Sequence, residues 1–277
     1  MAASDVYWSA LDPSEILSVP TAGGDAVVVA APAVTYFGGG MAVVDGVIYW
    51  SGGSDVGTSV FATTLDGTTT ELAVLTPCAA DPGIAVDGDF VVAATFACDG
   101  NPAELVAVPR AGGEAVHTLL ASEAIRFVAG EGAAQLVIGD ELLAIPVAGG
   151  SGTRLAGITD GEVVGRDASD IFTSSGNRIL AIPAGGGEPV QIGPLLEARP
   201  ALAAADPDHV FAITGGFDHG QASLIAIPRG GDEAQALVDN LGDAGALTAD
   251  ADALYWTAPD DDSDRGGLWR IAKCAAD

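Results

Sequence analysis

Three marks recur along this 277-residue chain, and together they predict an all-β fold: a β-propeller of four-stranded antiparallel blades. The first is an apolar run closed by a proline and a glycine-rich turn: EILSVPTAGG (15–24), ELVAVPRAGG (104–113), ELLAIPVAGG (141–150), RILAIPAGGG (178–187) and SLIAIPRGGD (223–232). The second is a β-branched and aromatic run behind an Asp- or Gly-containing turn, centred on Trp8, Trp50, Val92, Val137, Phe172, Phe211 and Trp256, at intervals of 35 to 45 residues. The third precedes the second and is made of small apolar residues, as in GMAVVDG, GIAVDG and PALAAADPD. Alternation and short β-branched runs dominate, and a 3.6-residue period is almost absent.

Each period therefore carries four strands. Strand A is the small apolar run, whose residues suit a crowded place where strands converge. Strand B is the aromatic run. Strand C is the LLAIP run, and its Pro and Gly residues supply a tight C–D hairpin turn. Strand D is short, as in AVHTLLA or AQALVD. VFATTLDGTTTEL (60–72) is a degenerate C–D copy with LDG as its turn, and LWRIAKCAAD is a final copy cut short. B and C runs number seven each, A and D runs six each; the first copy lacks A and the seventh lacks D. Seven blades, two of them incomplete, is the expectation; six is the alternative. A lone four-stranded sheet cannot bury both faces, whereas blades ringed about an axis cover one another. No linker interrupts the pattern, so one domain spanning 1–277 is expected.

The pairs Tyr7–Trp8, Tyr49–Trp50 and Tyr255–Trp256, in VYWSA…ILSVPTAGG, VIYW…SVFATTLDG and ALYWTA, resemble the YWTD-type repeat of low-density-lipoprotein-receptor propellers and their bacterial relatives. The resemblance spans almost the whole chain and implies architecture. It implies no particular function, because propeller repeats serve many roles.

Charge narrows the partners. The formal net charge is −28, with Lys273 the single lysine. Such a surface repels phosphate backbones, so no nucleic-acid partner is expected. No stretch of about 18 uninterrupted apolar residues exists, so no membrane span is expected either. No basic and apolar leader precedes the first strand run: the chain is cytosolic, or a leader has been removed. Cys78 and Cys98 lie in loop sequence flanking a strand pair and suggest a disulfide, hence a secreted or periplasmic setting; Cys274 is left over. Alanine richness and arginine in preference to lysine point to a GC-rich bacterial genome.

In a propeller the C–D and A–B turns emerge at one face, and the B–C and D–A loops at the other. The B–C loops vary most, and variable loops on a rigid scaffold carry function. Eleven to thirteen residues before five of the B-strand centres, near the axial opening, stand Asp81, Arg126, Asp160, Arg199 and Asp243. Arg126 and Arg199 there would clamp a carboxylate or phosphate, or pair with the aspartates and tie the ring. Arg166 lies within its own A run. Asp218 and His219 are further candidates in a long B–C loop. Asp260, Asp261, Asp262 and Asp264 resemble a Ca²⁺ loop in composition but lack the glycine and distal glutamate of an EF-hand, so a solvated loop is the simpler reading, with Ca²⁺ the alternative to no cofactor.

No pair among His117, His209 and His219 has metal-ligand spacing, and no nucleophile elbow, phosphate loop or CxxC is present. No catalytic residue is assigned. The expectation is a binding or interaction module for a protein or a small anionic or carbohydrate ligand, held on the B–C/D–A face near the central channel. The alternatives are a metal-dependent propeller hydrolase or lactonase, disfavoured by the scarcity of asparagine for axial metal ligation, and a repeat lectin.

Overall fold

A computed structural model of the chain describes residues 5–10, 13–54, 57–75, 83–95, 102–121, 126–215, 222–231, 233–242, 244–260 and 263–273. Its 26 strands form seven antiparallel sheets, each built from strands consecutive in the chain. Sheet 1 holds β1 (Asp5–Ala10), β2 (Glu15–Pro20) and β3 (Val27–Ala30). Sheet 2 holds β4 (Tyr36–Val44), β5 (Val47–Ser54), β6 (Gly57–Thr64) and β7 (Thr69–Val74). Sheet 3 holds β8 (Ile84–Asp87), β9 (Phe90–Ala94), β10 (Ala103–Pro109) and β11 (Val116–Ala121). Sheet 4 holds β12 (Phe127–Gly130), β13 (Ala133–Ile138), β14 (Glu141–Pro146) and β15 (Thr153–Gly157). Sheet 5 holds β16 (Gly161–Arg166), β17 (Asp170–Ser175), β18 (Arg178–Pro183) and β19 (Val190–Ile192). Sheet 6 holds β20 (Pro200–Ala205), β21 (His209–Thr214), β22 (Ser223–Pro228) and β23 (Gln235–Val238). Sheet 7 holds β24 (Ala246–Ala249), β25 (Ala253–Asp260) and β26 (Ser263–Ala272).

The fold is thus the expected all-β propeller, with seven blades rather than the alternative six. Sheets 1 and 7 have three strands, the first lacking A and the last lacking D. The chain divides into two compact units, Met1–Ala134 with Ile145–Gly152, and Gln135–Ala144 with Thr153–Asp277, so the division runs through sheet 4. Each unit is described by itself.

The small residues of the A strands answer to crowding. In the first unit β4, β8 and β12 lie side by side, and in the second β16, β20 and β24 do. A Cβ on Gly40 would stand 2.7 Å from the Ile84 nitrogen, and one on Gly165 would collide with the Ala203 carbonyl. The aromatic pair of a B strand serves both sheet faces, because successive side chains point in opposite directions. Tyr49 packs with Val91, Val106 and Val108 of sheet 3, whereas Trp50 packs with Ile16 and Ala30 of sheet 1. Trp50 stacks on Phe61 at 4.3 Å, and its indole N–H donates to the Thr63 hydroxyl at 2.9 Å.

The Pro-x-x-Gly element is a hydrogen-bonded turn. Gly23, Gly112 and Gly186 each donate their N–H to the carbonyl of the proline three residues earlier, at 2.8 to 2.9 Å. These turns also dock on the D strand of the preceding sheet. Gly187 donates to the Leu155 carbonyl at 3.1 Å, and a Cβ on Gly67 would stand 2.7 Å from the Val29 carbonyl.

The A–B turns anchor a second set of contacts between sheets. Asp167, Asp206 and Asp250 each use Oδ1 to accept two backbone N–H groups of their own turn, at 2.7 to 2.9 Å. The second oxygen of Asp167 and of Asp206 meets a cation of the next sheet, whereas that of Asp250 accepts from the Tyr255 hydroxyl of its own sheet at 2.8 Å. Asp206 Oδ2 lies 2.9 Å from Lys273 Nζ, which follows strand C of the next sheet and sits 5.1 Å from the Phe211 ring. Arg229, at the same place in sheet 6, pairs with Asp167 and, at 3.0 Å, with Asp170 of sheet 5, and lies 5.4 Å over Phe172. Arg110, at that place in sheet 3, donates to Asp45 and the Tyr49 hydroxyl of sheet 2 at 2.9 Å, again 5.4 Å over the ring. A cation from one C–D turn thus latches the turn and ring of the preceding blade.

One sequence expectation needs correcting. The B–C connections of sheets 2 and 7 are extended hairpins rather than long irregular loops: the ladders run out to Ser54 opposite Gly57 and Asp260 opposite Ser263. Continued pairing satisfies backbone groups that an irregular loop leaves to water.

Candidate functional site

Two places gather chemistry-bearing side chains among the described residues. The first is at the D–A end of the second unit. Asp160, held at φ 51°, turns the chain into β16, Glu162 follows on that strand, and Arg199 immediately precedes β20. Because β16 and β20 are neighbours, Arg199 Nη2 comes within 3.8 Å of Glu162 Oε1, with the side chains 42% and 44% exposed. An ion pair this long and this wet is worth roughly 0–1 kcal/mol. Glu162 was not singled out from the sequence, although GEVVGR places it one residue into the A run that follows Asp160.

Arg126 is exposed ahead of β12, in the first unit. Arg166 is a structural tie: its Nη1 donates to Gln135 Oε1 and its Nε to the Asp167 carbonyl, both at 3.1 Å. His117 pairs with Glu104 at 3.0 Å, and His209 stands 3.8 Å from Asp206. Asp81, Asp243, Asp218, His219, Cys78, Cys98, Asp261 and Asp262 lie outside the described residues, and Asp260 and Asp264 are described only as strand positions. Among the described residues no three His, Cys, Asp or Glu side chains converge as a metal site would require.

The second place is a groove of about 290 Å³ at sheet 1, lined by Asp5, Tyr7, Ser18, Val27, Leu65 and Asp66 among others. Tyr7, Ser18 and Val27 form one cross-strand row over β1, β2 and β3. Burial first, and then the charge of Asp5, holds the Tyr7 hydroxyl above its ordinary pKa, so it stays protonated. The Thr64 hydroxyl, with the Thr68 N–H, holds the Asp66 carboxyl below its ordinary value, so it stays ionised. The groove escapes a reading based on loop variability, because its residues belong to strands and to one of the uniform C–D turns.

No family model and no curated protein matches the chain. Solved structures do, 443 chains in all, and the likeness is one of fold. A chain of a nidogen/laminin complex superposes with a TM-score of 0.56 and 15% identity, over 85% of this chain and 92% of that one. The computationally designed Ika8 protein gives a TM-score of 0.56 and 12% identity, over 98% and 82%. A prolyl endopeptidase gives a TM-score of 0.63 and 8% identity over 99% of this chain, which spans 49% of that one. What they share with this chain is the propeller. At such identities the propeller itself carries no activity across.

Proposed function

We propose that this chain is a YWTD-like propeller acting as a secreted or periplasmic interaction module, with its principal ligand held at the B–C/D–A end of the blades. The observation that carries the reading is an asymmetry between the two strand ends. At the A–B/C–D end the cations Arg110, Arg229 and Lys273 are engaged in latching one sheet to the next. At the D–A end Arg199 and Glu162 form a long, exposed pair beside Asp160. Arg199 keeps 42% of its side chain in solvent, which leaves its guanidinium within reach of an anionic partner. One chain of similar fold was solved within a nidogen/laminin complex, which gives the interaction reading a parallel but no partner.

Arg199→Ala is expected to weaken capture of an anionic ligand at least tenfold while the urea midpoint stays within error. If it instead lowers stability and leaves binding untouched, Arg199 only ties the blades. A divalent ion present one to one, whose removal by EDTA abolishes esterase or lactonase activity, would replace the interaction module with an enzyme. The secreted or periplasmic setting rests on Cys78 and Cys98, and mass spectrometry of peptides cut without reduction is expected to find them joined.

A further inference from the structure

We propose that the outer edge of sheet 7 receives an extended segment of a partner polypeptide as its fourth strand, with an apolar residue opposite Trp269 and an acidic residue opposite Arg270. The inference stands apart from the ligand at the B–C/D–A end. In sheets 1 to 6 strand C is paired on one side by B and on the other by D, whereas in sheet 7, among the described residues, β26 is paired by β25 alone. The Lys273 N–H donates to the Asp252 carbonyl, and the antiparallel ladder alternates from that pair. Trp269 and Ile271 thus turn their backbone groups toward β25, and Leu268, Arg270 and Ala272 turn theirs outward. Such a row of outward N–H and C=O groups is a template for strand addition.

The side chains at this edge depart from those of the other sheets. Opposite Tyr7, Tyr49, Val92, Phe172 and Phe211 of the B strands stand Ser18, Ala62, Ala107, Ala181 and Ala226. Opposite Tyr255 stands Arg270, exposed and 6.0 Å from that ring. One residue earlier in strand C come Leu17, Val106 and Ile225, each 8% exposed or less, with Val28, His117 and Ala236 of the D strands lying opposite them. Sheet 7 has Trp269 at that place, 47% exposed. A large ring left half in water on an open edge is what an added strand would cover. Charge then selects the occupant. GGLWRIAK (266–273) holds two cations and no carboxylate, in a chain with 38 acidic residues. Lys273 is engaged with Asp206, so the favourable cross-strand pair is a carboxylate opposite Arg270. The rest of the segment is uncharged, because a net charge of −28 repels a strongly acidic partner and a second copy alike.

The test is a titration of the intact protein, in physiological salt, with the peptide Ac-Thr-Val-Glu-Val-Thr-NH2, whose antiparallel register sets Glu opposite Arg270 and one Val opposite Trp269. Saturable binding is expected, and its absence up to about 5 mM overturns the proposal. The same peptide methylated on the Glu nitrogen keeps every side chain but loses the N–H that faces the edge, and is expected to bind at least tenfold more weakly. The peptide with Lys in place of Glu is expected to bind about fivefold more weakly, and Arg270→Glu, folded by circular dichroism, to reverse that preference. Equal binding of the methylated peptide would make the contact one of side chains only and overturns strand addition. An unreversed preference in the folded variant overturns the assignment to this edge. A dimer in sedimentation of the peptide-free protein that Trp269→Lys converts to monomer would put a second copy on the edge, and overturns the proposal as well.

Discussion

Gly165 and Gly185 show how differently one residue type is used. A Cβ at Gly165 would collide with the Ala203 backbone, whereas one at Gly185 meets nothing within 4 Å. Gly165→Ala is therefore expected to cost about 1–3 kcal/mol in urea unfolding, and Gly185→Ala to stay within about 0.5 kcal/mol of the wild type. Asp206 is a second single-residue case. Burial disfavours its charge, but Lys273 and the N–H groups of His209 and Asp208 outweigh burial and hold its pKa below the ordinary 3.8. A carboxyl lowered in this way stabilises the fold fully above its ordinary pKa and loses that contribution as pH falls through its folded value. The urea midpoint is thus expected to drop between pH 5 and pH 3, and Asp206→Asn to flatten part of that drop. Asp250, lowered in the same sense where Tyr255 and the Asp252 and Ala253 N–H groups outweigh burial, accounts for a further part.

The elements are tied pairwise, and the strength of each latch follows from its burial. Arg229 bridges two aspartates that are 22% and 25% exposed and donates to the Asp206 carbonyl at 2.8 Å. Arg110 meets one aspartate that is 75% exposed. Arg229→Met leaves two part-buried carboxylates without their cation and is expected to cost about 2–4 kcal/mol. Arg110→Met, with the Asp45 carboxylate left in water, is expected to cost about 1 kcal/mol. Thermal melts of the two variants side by side check the ranking. The element pattern itself was legible in the sequence: A, B, C and D runs each became strands, down to the missing A of sheet 1 and the missing D of sheet 7. The latches were not, because Arg110 and Asp45 are 65 residues apart and no local period links them. Loop length also misled, since the acidic segment after Trp256 reads as an irregular loop and is strand up to Asp260.

For the whole molecule the dominant electrostatic fact is the net charge of −28. Self-repulsion of that size is long-ranged at low salt, where the Debye length is about 30 Å at 0.01 M, and largely screened at about 3 Å near 1 M. The part-buried latches are screened less. The melting temperature is therefore expected to rise as NaCl is raised from 0.01 M to 0.5 M, and a fall over that range would mean that ion pairs outweigh self-repulsion. The same excess of carboxylates is put to local use in the A–B turns, where Asp167, Asp206 and Asp250 cap backbone N–H groups.

The sequence by itself determined the strands and their repetition, because alternation, turn chemistry and hydrogen-bonded hairpins act between residues close in the chain; it favoured seven blades over six, and the structure has seven sheets. It also marked Arg126 and Arg199 as a clamp, with Asp160 among the aspartates near them. Tertiary structure alone decided what each turn does to its neighbour: that Gly67 and Gly187 dock on a preceding strand, and that Glu162 is the group facing Arg199. Those facts depend on which sheets lie side by side. Packing of one sheet on another is set by side-chain shape and burial over the whole fold, and not by any local signal.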